Sequence, residues 1–61
     1  MAFTNEQKHE CALREVRQRR RVYPRLIEQA KMSPSTANDQ ILMMEEIAAD
    51  YGERCKGDRL I

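Results

Sequence analysis

The sequence predicts an all-α protein built as an antiparallel hairpin of two helices. Residues that favour strands are scarce, since the 61-residue chain has two valines, one phenylalanine and no tryptophan. Apolar residues recur every three or four positions in two separate stretches, which is the period of one helical face. Between the stretches lies "KMSPS", residues 31–35, whose serine and proline are typical of a helix boundary.

The first helix is predicted over residues 5–30. Thr4 is a suitable N-cap, and Gln7, three residues later, can complete a capping box. The apolar face of this helix is formed by residues spaced one, three, four or seven apart: Ala12, Leu13, Val16, Tyr23, Ile27 and Ala30.

Pro24 lies in the middle of this predicted helix. Proline lacks the N–H that would bond the carbonyl of Arg20, and inside a helix it costs about 3 kcal/mol. The helix is therefore either kinked at Pro24 or broken into segments 5–22 and 25–31. We favour the kink, because Tyr23 would be a poor N-cap and "RLIEQAK" continues with good helix formers.

The second helix is predicted over residues 34–51. Ser33 is a good N-cap, and Pro34 occupies the first helical position, where a missing N–H costs little. Gly52 is suited to the left-handed conformation that ends many helices. We therefore expect a helical hairpin over residues 1–52 and a flexible tail over residues 53–61. The apolar face of the second helix consists of Ala37, Ile41, Met44, Ala48 and Tyr51.

A lone hairpin leaves one side of its apolar face exposed to water. Chains of this size rarely gain more than about 3–5 kcal/mol from their own core. We therefore expect a homodimer that forms a four-helix bundle, and the alternative is that the hairpin docks on another protein. Met43, Ile47 and Leu26 lie at the edges of the apolar face. The residues expected in the core or dimer interface are Leu13, Val16, Tyr23, Ile27, Ile41, Met44, Ile47, Ala48 and Tyr51.

Charge is divided between the two halves of the chain. The net charge is +1 overall, but residues 5–31 carry +4 and residues 32–52 carry −4. Folding about the turn brings Arg20 and Arg21 near Glu45 and Glu46, and Arg14 and Arg17 near Asp50. The opposite charges therefore favour this hairpin or its pairing with a second copy.

Four arginines are predicted to form an outward ridge on the first helix, opposite its apolar face. With about 100° per residue, Arg14, Arg17, Arg21 and Arg25 lie within about 80° of one another. A solvated face explains this ridge most simply, and the alternatives are contacts with phosphates or with an acidic protein. Recognition of DNA bases is disfavoured, because the second helix carries acids and no basic residue. Stacking on single strands is also unsupported, because Tyr23 lies on the apolar face and not among the ridge arginines.

On the second helix, Leu42 projects away from the apolar face between Asp39 and Glu46. An isolated exposed leucine is common on protein surfaces. A leucine surrounded by acids is also typical of a helix that binds in a partner's groove, so Asp39, Leu42 and Glu46 are a candidate partner-binding face.

No catalytic, cofactor or metal site is predicted. His9, Cys11 and Cys55 could meet at the open end of the hairpin, but a fourth ligand is missing and no third group orients His9 for nucleophilic catalysis. Two free thiols, the absence of a long apolar run and the absence of a signal peptide favour a cytoplasmic protein with no membrane contact.

The stretch "RRRVYPRLIEQAKMSPSTANDQILMMEEIAADY", residues 19–51, resembles a group of small, uncharacterised helical proteins encoded in bacteriophages and prophages. Their pattern is R-x-V-Y-P-R, a connector ending in Met, and I-A-A-D-Y. This chain departs from it at the turn, where Ala30 stands in place of an expected glycine, and before Ile41, where Gln40 stands in place of an expected glutamate.

The resemblance implies an accessory protein of a phage, acting in the cytoplasm of an infected bacterium. Proteins of this class often bind and redirect host machinery, including defence systems. We therefore expect a non-enzymatic protein that binds a host protein and inhibits or redirects it. Two alternatives are a nucleic-acid-binding protein that uses the arginine ridge and a structural or assembly subunit of the virion.

Overall fold

The computed structural model of the chain describes residues 3–59, and the side chains of residues 3–57. Two helices, α1 (Asn5–Glu28) and α2 (Pro34–Arg59), pack against each other as an antiparallel hairpin of 48 × 19 × 17 Å. The prediction of an all-helical hairpin is confirmed.

The start of α1 is fixed by a capping box, as predicted. The Gln7 N–H donates to the Thr4 hydroxyl over 3.1 Å, and the Thr4 N–H donates to the Gln7 side-chain oxygen over 2.9 Å. Each side chain thus satisfies one of the N–H groups that a helix start leaves unpaired. Pro24 lies within α1, which continues on both sides of it, so the alternative of a break is wrong.

The end of α1 is a tight backbone cap rather than a continued helix to residue 30. Ala30 adopts a left-handed conformation with φ 57°. Its N–H donates to the carbonyl of Ile27 over 3.0 Å, and the Lys31 N–H donates to the carbonyl of Leu26 over 2.9 Å. This pair of bonds is the Schellman motif, which normally places glycine at the left-handed position.

The start of α2 is capped by Ser33, as predicted. The Thr36 N–H donates to the Ser33 hydroxyl over 3.1 Å, and the Ala37 N–H donates to the Ser33 carbonyl over 3.0 Å. The two caps leave only a few residues between the helices, so the helices must run antiparallel side by side.

The second helix does not end at Gly52. It continues to Arg59, and Gly52 does not have a positive φ. Cys55 explains the extension, because it continues the apolar face one further step of four after Tyr51 and is buried. Residues 53–59 are therefore helical in place of the predicted tail, whose last residues, 60–61, lie outside the described part.

The hairpin has a thin core of small side chains. The buried residues of the described chain are Ala12, Val16, Ala37, Ala48 and Cys55. The larger residues expected there are only half-buried: Leu13, Tyr23, Ile27, Ile41, Met44 and Tyr51. Ile47 is 43% exposed in the single chain. Small side chains let the two helices approach closely, but they remove little apolar surface from water.

Candidate interaction surfaces

Two arginines of α1, Arg19 and Arg20, contact α2. Arg19 donates to the Glu15 carboxylate over 2.9 Å and to the Gln40 carbonyl of α2 over 2.8 Å. Arg20 pairs with Glu45 across the hairpin, as the charge pattern predicts. Both contacts fix the position of α2 along α1.

The four ridge arginines have a different environment. Arg14, Arg17, Arg21 and Arg25 are all exposed on the outward side of α1. Among the described residues none of them has an ion-pair partner. The expected proximity of Arg21 to Glu46, and of Arg14 and Arg17 to Asp50, therefore gives no ion pair within this part of the chain. At 1.5 Å per residue the ridge spans about 16 Å along the helix. It presents four guanidinium groups that the hairpin itself does not neutralise.

The outward side of α2 has the opposite charge. Asp39 and Glu46 are exposed, and between them Leu42 is 49% exposed. This arrangement is the acidic face that the sequence predicts, and it lies away from the buried residues Ala37 and Ala48. The two helices therefore show oppositely charged outer surfaces.

Between these outer surfaces the hairpin has two flanks, and one of them is apolar. On α2 it carries Met43, 47% exposed, and Ile47, 43% exposed; on α1 it carries Val22, 37% exposed. Helical spacing places these residues on the same side of the hairpin as Arg19, whose contact with Gln40 crosses to α2 there. We call this surface the methionine flank: Val22, Met43 and Ile47.

The opposite flank carries polar groups that already pair across the hairpin. Arg20 and Glu45 lie there, together with a groove along the helix contact. We call this surface the ion-pair flank. The groove is lined by His9, Leu13, Val16, Arg20, Glu45, Ala48 and Ala49.

His9 anchors the open end of the hairpin. Its Nδ1 lies 2.9 Å from the carbonyl oxygen of Ala48, so Nδ1 is the protonated nitrogen that donates to it. The imidazole ring also lies against Gly52, where a Cβ atom would be 3.0 Å from His9 Cε1. Any larger residue at position 52 would therefore crowd the imidazole ring, whereas the sequence pattern predicts Gly52 as the end of the helix.

His9, Cys11 and Cys55, considered from the sequence as possible metal ligands, form no metal cluster among the described residues. Cys55 is buried and Cys11 is exposed, and both thiols are free. Within residues 3–57, no three His, Cys, Asp or Glu side chains lie together in a way that could hold a metal ion. Nearby, Lys8 and Arg54 lie over the ring of Tyr51, at 5.6 and 4.8 Å from its centre.

Over the described residues, neither helix carries an apolar stretch long enough to cross a lipid bilayer. The described residues present two charged outer surfaces and one apolar flank. No family model matches the sequence, and comparison with curated proteins and with solved structures found no similar chain.

Proposed function

We propose that this chain is an accessory protein of a bacteriophage that acts in the host cytoplasm by binding a host protein, without catalysis. The observation that carries the proposal is that both outer surfaces hold groups the hairpin does not use. Four arginines on α1 have no ion-pair partner among the described residues, and Leu42 is half exposed between two acids on α2. Such side chains suit contact with a partner protein.

The proposal includes a homodimer in the form of a four-helix bundle, and a bend of α1 at Pro24. The thin core supports the dimer, since no side chain in the described chain falls below 2% exposure. The missing N–H of Pro24 supports the bend.

Affinity capture from bacterial lysate tests partner binding. The wild-type chain is compared with Arg17→Ala/Arg21→Ala, with Leu42→Ala, and with a control, Lys31→Ala/Lys56→Ala, that removes the same charge elsewhere. A host protein retained by wild type and by the control, and lost with the ridge variant or Leu42→Ala, supports the proposal. A chain that recovers only itself contradicts it.

Nucleic-acid binding is the second candidate, because the unpaired ridge could contact phosphates. It predicts an affinity that falls steeply as salt rises, and a salt dependence that weakens in Arg17→Ala/Arg21→Ala. Gel-shift assays with duplex and single-stranded probes test it. The absence of a shift at low salt would exclude nucleic-acid binding. The acidic face of α2 argues against this candidate, because it would repel phosphates.

A further inference from the structure

We infer that the methionine flank is the surface on which a second copy of this chain docks, with α1 of each copy lying against α2 of the other. The inference rests on the proposed homodimer and assigns its interface. Three observations carry it: the unequal flanks, the surface area of the single chain and the arrangement of charge.

The two flanks of the hairpin differ in how much apolar surface they expose. The ion-pair flank is spanned by Arg20 and Glu45, which pair with each other. On the methionine flank the crossing group, Arg19, is already bonded to Glu15 and to the Gln40 carbonyl. Because Arg19 keeps these partners, covering it does not leave an unpaired charge, and the exposed apolar side chains on this flank are Val22, Met43 and Ile47.

The exposed area of the single chain, an elongated hairpin of 48 × 19 × 17 Å, exceeds that of a compact monomer and leaves room for an interface. A compact monomer of 7.2 kDa exposes about 4,100 Å². This chain exposes 5038 Å², about a fifth more than that expectation. The excess is close to the ~800 Å² per partner that a standard interface buries.

The charges beside this flank identify the second copy and its orientation. The outer edge of α1 is basic, with Arg14 and Arg25, and the outer edge of α2 is acidic, with Asp39 and Asp50. When α1 of one copy lies against α2 of the other, each basic edge meets an acidic edge around an apolar centre. Pairing like helices would oppose equal charges instead.

Sedimentation equilibrium over a range of concentrations, with reductant to keep Cys11 as a thiol, tests the assignment. Met43→Lys is compared with Leu42→Lys. The two residues are neighbours on α2 and are similarly exposed, 47% and 49%, but only Met43 is on the methionine flank. Both new lysines lie within one turn of Glu46, so each is supported in the helix.

We expect Met43→Lys to raise the dimer dissociation constant by at least about 100-fold, because a two-fold interface contains the substitution twice. Leu42→Lys leaves the constant within a few fold. Val22→Glu, on the other helix, repeats the effect of Met43→Lys. Circular dichroism checks that every variant keeps its helix content at high concentration.

Three results overturn the assignment. If Leu42→Lys dissociates the dimer and Met43→Lys does not, the dimer stands and its interface lies elsewhere. If neither variant changes the constant, the methionine flank is likewise not the interface. If the wild-type chain is a monomer at all concentrations, the dimer and its interface both fail, whereas partner binding through the ridge is decided by the capture experiment.

Discussion

The two ends of the hairpin are held together by different kinds of interaction. At the turn, local capping hydrogen bonds hold the chain: α1 ends with Ala30 in the left-handed conformation and α2 begins after the N-cap Ser33, within four residues of sequence. At the open end, groups more than thirty residues apart are in contact, as where the His9 side chain donates to the backbone carbonyl of Ala48. Local sequence signals therefore define the turn, whereas the open end depends on how the helices pack.

The largest expected effect is at the open end. Cys55→Asp places a carboxylate at a site where the thiol is 5% exposed, and an unpaired buried charge costs several kcal/mol. We expect unfolding of residues 52–59 and a loss of about 3 kcal/mol or more of global stability. Hydrogen exchange measures the first and urea denaturation the second.

Cys55→Ala is the control for this variant, because it removes the sulfur without adding charge. It should keep α2 helical beyond Gly52. Equal exchange protection in Cys55→Asp and wild type would mean that Cys55 does not hold the end of α2 against α1.

The next effect is the coupling between His9 and Gly52. Gly52→Ala puts a Cβ atom 3.0 Å from the imidazole, so we expect a loss of about 1 kcal/mol as the ring and its bond to Ala48 are displaced. In a His9→Ala background, Gly52→Ala should raise the free energy of unfolding by about 1 kcal/mol, because alanine is the better helix former. A double-mutant cycle at fixed protein concentration should give about 2 kcal/mol of coupling, and additive effects would contradict the contact.

At the turn we expect a gain in stability. Ala30→Gly relieves the left-handed conformation at φ 57° and should stabilise the hairpin by about 1 kcal/mol. Gln29→Gly, one residue earlier, is the control, since Gln29 has an ordinary φ of −84° and the change should destabilise. A lower melting temperature for Ala30→Gly would contradict the cap geometry.

The smallest effect is expected for Lys8. Its amine lies 5.6 Å from the ring centre of Tyr51 at the surface, and Arg54 covers the same ring at 4.8 Å. Lys8→Gln should therefore cost about 0.5 kcal/mol or less. A loss as large as that of Cys55→Asp, measured by urea denaturation, would show that Lys8 organises the open end.

The sequence predicts the turn well and the open end poorly. Both N-caps and the Arg20–Glu45 pair follow from short-range patterns and antiparallel geometry, and the structure confirms them. Gly52 misleads, because a glycine that ends a helix and one that admits a neighbouring ring look alike in sequence. Cys55 is different, since its spacing after Tyr51 already continues the apolar face.

The interaction surfaces are only partly predictable for a related reason. Helical spacing places the arginine ridge outward, and all four of its arginines are exposed. Spacing does not say how deeply an edge residue is covered, because that depends on the distance between the helices. Ile47, which spacing places at the edge of the apolar face and which is expected in the core or dimer interface, is 43% exposed in the single chain.

The alanines of the core determine which mutations the protein can accept. Ala12, Ala37 and Ala48 are three of the five buried residues, so an alanine scan would leave most of the helix contact untested. Larger side chains there would push the helices apart and cost about 1–3 kcal/mol each. Substitutions at these positions are therefore limited by side-chain size. Replacing each alanine with leucine would identify the helix contact, which an alanine scan cannot test.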